Sequence, residues 1–318
     1  MAIQTGAGVS DSSDTLLQGE IPCNICGTRE QKILYSAGVA QPAQIVQCPE
    51  CGLMYSSPRW RPADHELYKD SNIDDLLNNV TNDPNHPYYW RYEKEKGQTR
   101  DVEHARQILN QLYPNRGRMV EVGSGMGYLI RSFKKDGWDV LGIDPWKAAP
   151  AFTRSEHGIE TLPTTLEEAK LPDASVDALV LLHVIEHVPD PVATLKEIHR
   201  VLKPGGHLVM ETPRYDTLMY RLLRHRERSL RCEGHIYFFT LDSLRKAYEK
   251  AGFSEVDTRA VGRTLSLERF VWNLGVVIGN QTIRKSLEFL SKKLFFNKVR
   301  ATVNLQDMQR VIVRKSSA

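Results

Sequence analysis

Three groups of residues carry side chains able to do chemistry, at spacings that can bring them together. Four of the five cysteines fall as Cys23-x-x-Cys26 and Cys48-x-x-Cys51, each pair followed by a glycine, Gly27 and Gly52. Two such turns can set four thiolates tetrahedrally around one zinc ion at about 2.3 Å each, a closed site with no open position for substrate. The alternative is a pair of disulfides, which a reducing compartment disfavours. A metal held this way keeps a small module folded and does no chemistry. Cys232 has no partner at ligand spacing and reads as a small buried or semi-buried side chain. The second group is His183-x-x-Glu186-His187, joined later in the chain by His235. Imidazoles beside a carboxylate suit a divalent ion, or proton transfer near neutral pH. The third is the turn Gly123-Ser124-Gly125-Met126-Gly127, whose glycines let backbone pass close to a bound ligand.

The elements around these groups must place them. An apolar run over Arg118–Val122 leads into the glycine turn, and a helical pattern over Tyr128–Lys135 follows it. A second strand, 138–143, ends in Asp144, placed to grip a ribose diol; these parts alone would equally suit a dinucleotide. Residues 175–182 read as a buried strand whose end carries His183, Glu186 and His187 on a short helical turn, which sets His183 beside the other two. Leu202-Lys203-Pro204-Gly205-Gly206 forms a turn before a strand at 207–211, and further strands are expected at 255–260 and 307–314. The segment from Gly234 to Phe239 precedes a helix with Thr240 as its N-cap. In a doubly wound sheet the loop after that strand returns to the same edge, where His235 can meet the other three groups.

In this order, E-V-G-x-G-x-G at 121–127, the acidic Asp144, the strand beginning Ser175-Val176-Asp177, and L-K-P-G-G at 202–206 resemble the class I S-adenosylmethionine (SAM) methyltransferases. The likeness covers residues 105–260 and the last strand, and a nicotinamide enzyme has no reason to carry E-H-V-x-D-P and L-K-P-G-G there. It implies an α/β fold, a doubly wound Rossmann-like sheet of seven strands in the order 3-2-1-4-5-7-6 with strand seven antiparallel. It also implies SAM as cofactor. Glu121 would accept from the methionine amino group or order the turn, and Gly123, Gly125 and Gly127 would pass beside the ligand. Asp144 would bind both ribose hydroxyls, with Pro145 and Trp146 flanking the adenine. Thr164, Thr165 and Leu166 would seat that ring, while Leu182 and His183 line the methionine side.

The set His183, Glu186, His187 and His235 is similar to that of metal-dependent small-RNA 2′-O-methyltransferases, which place E-x-x-E-H and a later histidine around a magnesium-like ion. Ubiquinone-pathway O-methyltransferases carry a related E-H-V segment. Here His183 stands where that pattern has glutamate, which favours a softer ion. Three roles stay open: the four residues hold a second divalent ion that orients acceptor oxygens, His187 or His235 is a metal-free general base, or Glu186 and His187 brace the loop. Methyl transfer from a sulfonium is an in-line displacement, so positioning and deprotonation are what the protein must supply. A cysteine module followed by Tyr55-Ser56-Ser57-Pro58-Arg59 and a SAM domain is similar to a bacterial arrangement found among sugar, polysaccharide and natural-product methyltransferases.

The expected organisation is a flexible tail (1–20), a zinc ribbon (21–57) with strands at 33–35 and 45–47, a linker and lid (58–104), and the methyltransferase domain (105–318) interrupted by a helical insertion (261–303). Pro58, Pro62, Pro84 and Pro87 break the linker before a helix at 93–112. Tyr68, Tyr88, Tyr89 and Trp90 either contact ligand or simply pack. The insertion, apolar over 265–278 and amphipathic over 283–296, caps the pocket, pairs two subunits as a homodimer, or makes a peripheral contact with an anionic membrane. Arg214, Arg221, Arg224, Arg226, Arg228 and Arg231 suit phosphate or carboxylate, or form a solvated helix face.

With 318 residues, 41% hydrophobic and 25% charged, the composition is that of an ordinary soluble protein, and a net charge of +3 does not by itself imply nucleic acid. No run of eighteen apolar residues and no apolar leader with a basic flank is present, so neither a spanning helix nor a signal peptide is expected, and the expected location is cytoplasmic. The expected function is methyl transfer from SAM to a small-molecule acceptor, phosphorylated or lipid-linked to match the arginines. A hydroxyl of a sugar, glycolipid or secondary metabolite fits best. Carbon methylation of a deoxysugar and RNA 2′-O-methylation are the alternatives, the latter disfavoured by the modest charge. A binding module that keeps SAM only structurally is a third.

Overall fold

The computed structural model describes residues 21–58, 99–146, 148–227, 229–232, 234–261, 263–266 and 300–317. The expected tail, the aromatic residues of the lid, Arg228 and residues 267–299 of the insertion lie outside the described residues.

Three short strands, β1 (Lys32–Tyr35), β2 (Ile45–Gln47) and β3 (Met54–Ser56), form an antiparallel meander around the cysteines. After it come α1 (Thr99–Leu112), β4 (Arg118–Val122), α2 (Tyr128–Lys135), β5 (Asp139–Ile143), α3 (Ala148–His157), β6 (Thr161–Leu162) and α4 (Leu166–Ala169). The chain continues through β7 (Val176–Leu182), α5 (Pro191–Val201), β8 (Leu202–Pro213), α6 (Leu218–Leu223), β9 (Tyr237–Phe238), α7 (Leu241–Lys250) and β10 (Phe253–Ala260). It closes with β11 (Arg263–Ser266), β12 (Arg300–Val303) and β13 (Met308–Lys315).

The main sheet runs β10-β13-β8-β7-β4-β5-β6, with β13 antiparallel to both neighbours and the other pairings parallel. This is the expected order 3-2-1-4-5-7-6. Side chains alternate between its faces with the period of two that a pleated strand imposes. Met119, Ala178, Val180, Val209 and Ile312 point into one core with Leu109, Ile130, Phe133 and Trp138. Their neighbours Val120, Leu179, Leu181, Leu208, Met210, Val311 and Val313 point into the other, with Leu195, Ile198, Leu244 and Tyr248. Cover on both faces is why β7 reads as a nearly unbroken apolar run.

Local chemistry sets the ends of the elements that flank the histidines. Asp190 caps α5 by accepting from the Val192 and Ala193 amides at 2.9 and 3.0 Å, and Pro191 occupies the first turn. Thr240 caps α7 through a reciprocal capping box with Ser243. The L-K-P-G-G residues belong to β8 rather than to a separate turn: Leu202 pairs with Val176, and the ladder shifts register before Ala178 meets His207. The ends of the insertion are strands, β11 paired with β12, where a helix was expected. The small sheet has a fourth strand, β9, paired with β3, so the cysteine module shares a sheet with the segment that carries His235. Among the described residues no helix is long and apolar enough to cross a membrane.

Candidate active site

The glycine turn leaves the carboxyl end of β4. Gly123 has φ of +73°, and a Cβ built there would lie 2.3 Å from Val184 Cγ2, so only glycine fits both the backbone and its neighbour. Val184 follows His183, and this close approach sets the glycine turn against the histidine loop. Asp144, 4% exposed, ends β5 with both oxygens on backbone donors: Gly125 N–H to Oδ2 at 2.7 Å and Trp146 N–H to Oδ1 at 2.8 Å. Each oxygen keeps lone pairs for a ligand while the carboxylate braces the turn. Glu121 is buried at the end of β4 and Pro145 is half-buried, while Trp146 is buried. Thr165 caps α4, whereas Leu166 is enclosed in the core beneath it. Leu182 is half-buried at the last position of β7.

His183, Glu186, His187 and His235 come together at this edge. The loop is a tight turn, with the His187 amide bonded to the Val184 carbonyl at 2.8 Å, and not the helical turn expected. His183 instead takes a left-handed φ of +56°, uncommon for a side chain of its size, and its N–H donates to the Glu211 carbonyl at 2.8 Å. That conformation leaves the His183 ring part-exposed while Glu186 is swallowed by the fold.

Glu186 is fully buried, with His183 Nδ1 3.7 Å and His235 Nε2 4.0 Å from its Oε1. Thr212 Oγ1 donates to Oε2 at 2.9 Å, while Oε1 lacks a hydrogen-bond partner. Burial pushes the Glu186 pKa up, but the His183 contact and the surrounding imidazoles outweigh it and hold the carboxyl at about 2. Burial, and then the His187 ring, push His235 down to about 3 against the pull of Glu186. At neutral pH the His235 ring is therefore uncharged, and the anion rests on Thr212 and His183. His187 donates through Nδ1 to the Gly234 carbonyl at 2.8 Å. The two rings meet edge to face at 4.7 Å. Ligand atoms of Glu186, His187 and His235 lie within 4.8 Å of one another, close enough for one cation. An orphaned buried carboxylate oxygen beside two imidazoles fits a divalent ion.

Sequence reasoning missed Glu211 and Arg310. Glu211 follows the apolar residues Leu208, Val209 and Met210 of β8, with Oε1 3.6 Å from His183 Nε2 and Oε2 bonded by Arg310 Nε at 2.9 Å and Nη2 at 2.6 Å. Arg310 Nη1 reaches His104 Nδ1 at 2.9 Å. The available signal was a charged residue inside the apolar run Val311-Ile312-Val313 and its approach, which a strand buried on both faces does not carry without a partner.

The cysteines form two knuckles with the same hydrogen-bond pattern. Gly27 N–H donates to the Cys23 carbonyl and Gly52 N–H to the Cys48 carbonyl, both glycines at positive φ. The Sγ atoms of Cys23 and Cys51, and of Cys26 and Cys48, are 3.4 Å apart, and all four lie within 4.8 Å. A disulfide needs about 2.05 Å; a tetrahedron of 2.3 Å bonds has edges of roughly 3.8 Å. The Cys51 thiol lowers Cys23 to about 5 and is itself pushed up, as expected when two crowded sulfurs share one proton. The donor set fits a soft tetrahedral metal. Cys232 is exposed, not buried as its type suggested, because it follows the 3-10 turn Ser229–Arg231 on the arginine-rich stretch. Arg221, Arg224, Arg226 and Arg231 are also exposed, and Arg214 pairs with Asp216.

Residues 89–258 match a family described as a methyltransferase domain. The ubiquinone biosynthesis O-methyltransferase of Alkalilimnicola ehrlichii is 36% identical over 102 residues, covering 30% of this chain and 41% of that one. That of Aliivibrio fischeri ES114 is 32% identical over 102 residues, covering 30% and 43%. The chain thus spans less than half the length of these curated relatives. Among solved structures, a SAM-dependent methyltransferase of Thermotoga maritima aligns with a TM-score of 0.49 at 21% identity, over 77% of this chain and 98% of that one. Another from Archaeoglobus fulgidus aligns at 0.49 and 16% identity, over 72% and 100%.

Proposed function

This chain belongs to the methyltransferase-domain family, and on that premise we propose that it transfers the methyl group of SAM to a hydroxyl of a small molecule. The observation that carries this reading is the Val184–Gly123 contact, which sets the His183, Glu186, His187 and His235 group against the glycine turn. The cofactor's ribose would lie on Asp144, its methionine end along Gly123, Gly125 and Leu182, and its methyl toward His183. When bound, SAM would supply an electrophilic methyl whose carbon–sulfur bond breaks as the acceptor oxygen bonds to it, leaving the neutral thioether. His183 would take the hydroxyl proton. Glu186 and Glu211 flank that ring, 3.7 Å from its Nδ1 and 3.6 Å from its Nε2.

Glu186, His187 and His235 would hold a divalent ion, whose chemistry when bound is to lower the pKa of the acceptor hydroxyl. Cys23, Cys26, Cys48 and Cys51 would hold zinc, with a structural role. The exposed arginines between β8 and β9 support an acceptor carrying phosphate or carboxylate, or one linked to a lipid. The names of the ubiquinone-pathway relatives support transfer to oxygen in preference to carbon.

The test is calorimetry of SAM followed by a screen of hydroxylated acceptors with and without divalent ions. Asp144→Ala should weaken SAM by about tenfold or more, roughly 1.4 kcal/mol. His183→Ala should keep SAM affinity and lose about 100- to 10,000-fold in turnover. Absence of SAM affinity, or a nicotinamide bound in its place, would overturn the reading.

A further inference from the structure

The geometry points to a part for the four-cysteine module inside the methyl-transfer site: we infer that it positions His235 against Glu186, through β3 and a contact between Asn24, Tyr237 and Pro189. The inference rests on the cysteines holding a metal and on the proposed role of the His183–His235 edge.

The segment 234–238 is a strap held from two sides. On the site side, the Ile236 and Tyr237 amides donate to the Glu186 carbonyl at 2.8 and 3.1 Å, and the Gly234 carbonyl accepts from His187. On the module side, the Ser56 amide donates to the Ile236 carbonyl at 2.8 Å, and β9 pairs with β3 at Met54 with Phe238 and Tyr55 with Tyr237. The fully buried Tyr237 adds a second link. Its hydroxyl reaches the Pro189 carbonyl at 2.8 Å and the Asn24 side chain at 2.7 Å, and Asn24 lies inside the Cys23-x-x-Cys26 knuckle. One phenol proton serves one acceptor well; with the Asn24 amide turned over, its NH2 donates to the phenol oxygen and both contacts are met. Pro189 belongs to the same loop as Glu186 and His187, so the knuckle bears directly on that loop.

Helix α7 clamps the module from its other side. Lys246 Nζ donates to the Cys51 carbonyl at 3.4 Å and Lys250 Nζ to the Ile25 carbonyl, one lysine per knuckle and four residues apart on one helix face. Two cations there complement the net negative charge of four thiolates on a divalent metal. Cys23, Ile25, Cys48, Cys51, Leu53 and Tyr55 also share one continuous core with Ile185, Ile236 and Tyr237. The module's own strands are only three or four residues long, and the metal is what would tie its two knuckles together. Loss of the metal would release β3, and with it the strap. The glycine turn and Asp144 sit at the ends of β4 and β5, which pair with each other in the main sheet and make no strand pairing with the module.

The experiment uses the full chain, metal-loaded and after removal of the metal by a thiophilic chelator, with Asn24→Ala and Tyr237→Phe as variants that keep all four cysteines. Hydrogen exchange is read at the Ser56, Ile236 and Tyr237 amides and, as control, at Gly123 and Gly125. Removal of the metal should raise exchange at the first set about tenfold or more, leave the second set unchanged, and keep SAM affinity within about twofold. Asn24→Ala should lower kcat for the acceptor without changing KM for SAM, and Asn24→Asp, which has no NH2 to donate to the phenol oxygen, should fail to recover it, whereas Asn24→Gln, which keeps that donor, should recover part of it. Unchanged exchange at Ile236 and Tyr237 would overturn the inference. An equal rise at Gly123 and Gly125 would also overturn it, because the module would then stabilise the whole fold. Failure to bind SAM at all defeats the proposed function instead, and the exchange pattern still reads out.

Discussion

Replacing Arg310 with methionine is the sharpest probe of how the acceptor side is built. Arg310 and Glu211 are 4% and 8% exposed, and two guanidinium bonds converge on one carboxylate oxygen. Arg310→Met leaves that carboxylate in a sheet interior with no cation. Removing one partner of a buried pair costs about 3–5 kcal/mol, because the remaining charge stays desolvated. Water cannot easily replace the lost partner, since Gln309 and Val311 on either side of Arg310 are themselves 0% and 2% exposed. His104 does not compensate either: burial and then Arg310 hold its pKa below the usual value, and its Nδ1 serves as an acceptor for the guanidinium. By contrast, Glu211→Met with Arg310→Met removes both charges and fills similar volume, which ranges from neutral to stabilising in comparable cases. Urea unfolding of the two variants and the parent forms the assay. The single variant should lose about 3–5 kcal/mol, equivalent to a drop of roughly 10 °C in midpoint, and the double variant should regain most of it. The double variant should also keep SAM affinity while losing turnover, because His183 no longer faces a carboxylate at 3.6 Å. A loss under about 1 kcal/mol in Arg310→Met, the range of an exposed pair, would refute the reasoning.

Two further outcomes follow from the site. His235, held at about 3 against about 6.5 in the unfolded chain, is protonated on unfolding but not in the fold. The unfolded state then binds more protons between those values, so stability falls as pH drops below 6.5, by about 1.4 kcal/mol from this ring at pH 5.5. His235→Asn should lose less stability than the parent between pH 7.5 and 5.5 in denaturant titrations; identical losses would count against a neutral buried ring. Gly123→Ala forces a Cβ to 2.3 Å from Val184 Cγ2 at a φ of +73°. It should weaken SAM binding and lower stability by at least about 1 kcal/mol, and Val184→Ala in the same chain should restore part of both. No relief in the double variant would show that the contact is not what sets the turn.

The sheet was legible because its signals are local and repeated. Apolar runs at 118–122, 138–143 and 175–182, and the cap Thr240, set their elements by rules that act within a few residues. The meeting of Glu186, His187 and His235 was legible only through topology, since no local pattern joins positions so far apart. Three features were not legible. The pairing of Tyr237 and Phe238 with β3 involves two residues in an apolar stretch that reads equally well as loop or core. The left-handed His183 breaks the preference of its residue type, and a helical turn was the natural reading of its spacing. The Arg310–Glu211 pair joins two strands through a partner choice that only the register decides.

The two halves of the site rest on different physics, and this bears on which substitutions each tolerates. The cofactor side is built from backbone: glycine amides, a carboxylate that accepts two N–H groups, and a turn with little side-chain content. Its tolerance is steric, set by whether a Cβ fits. The acceptor side is built from buried ionisable groups, Glu186, His235, Glu211 and Arg310, each facing one or two named neighbours. Its tolerance is electrostatic, and its members are strongly coupled because loss of one partner strands the other in low dielectric. Acceptor-side substitutions should therefore combine non-additively with one another. They should add simply with those on the glycine turn, except at Val184, where the halves touch. A cycle of Thr212→Val and Gly123→Ala in denaturant should thus show coupling within about 0.5 kcal/mol, and a cycle of Thr212→Val with His235→Asn should exceed it. Coupling of similar size in both cycles would mean that the edge behaves as one rigid unit and that the division drawn here is wrong.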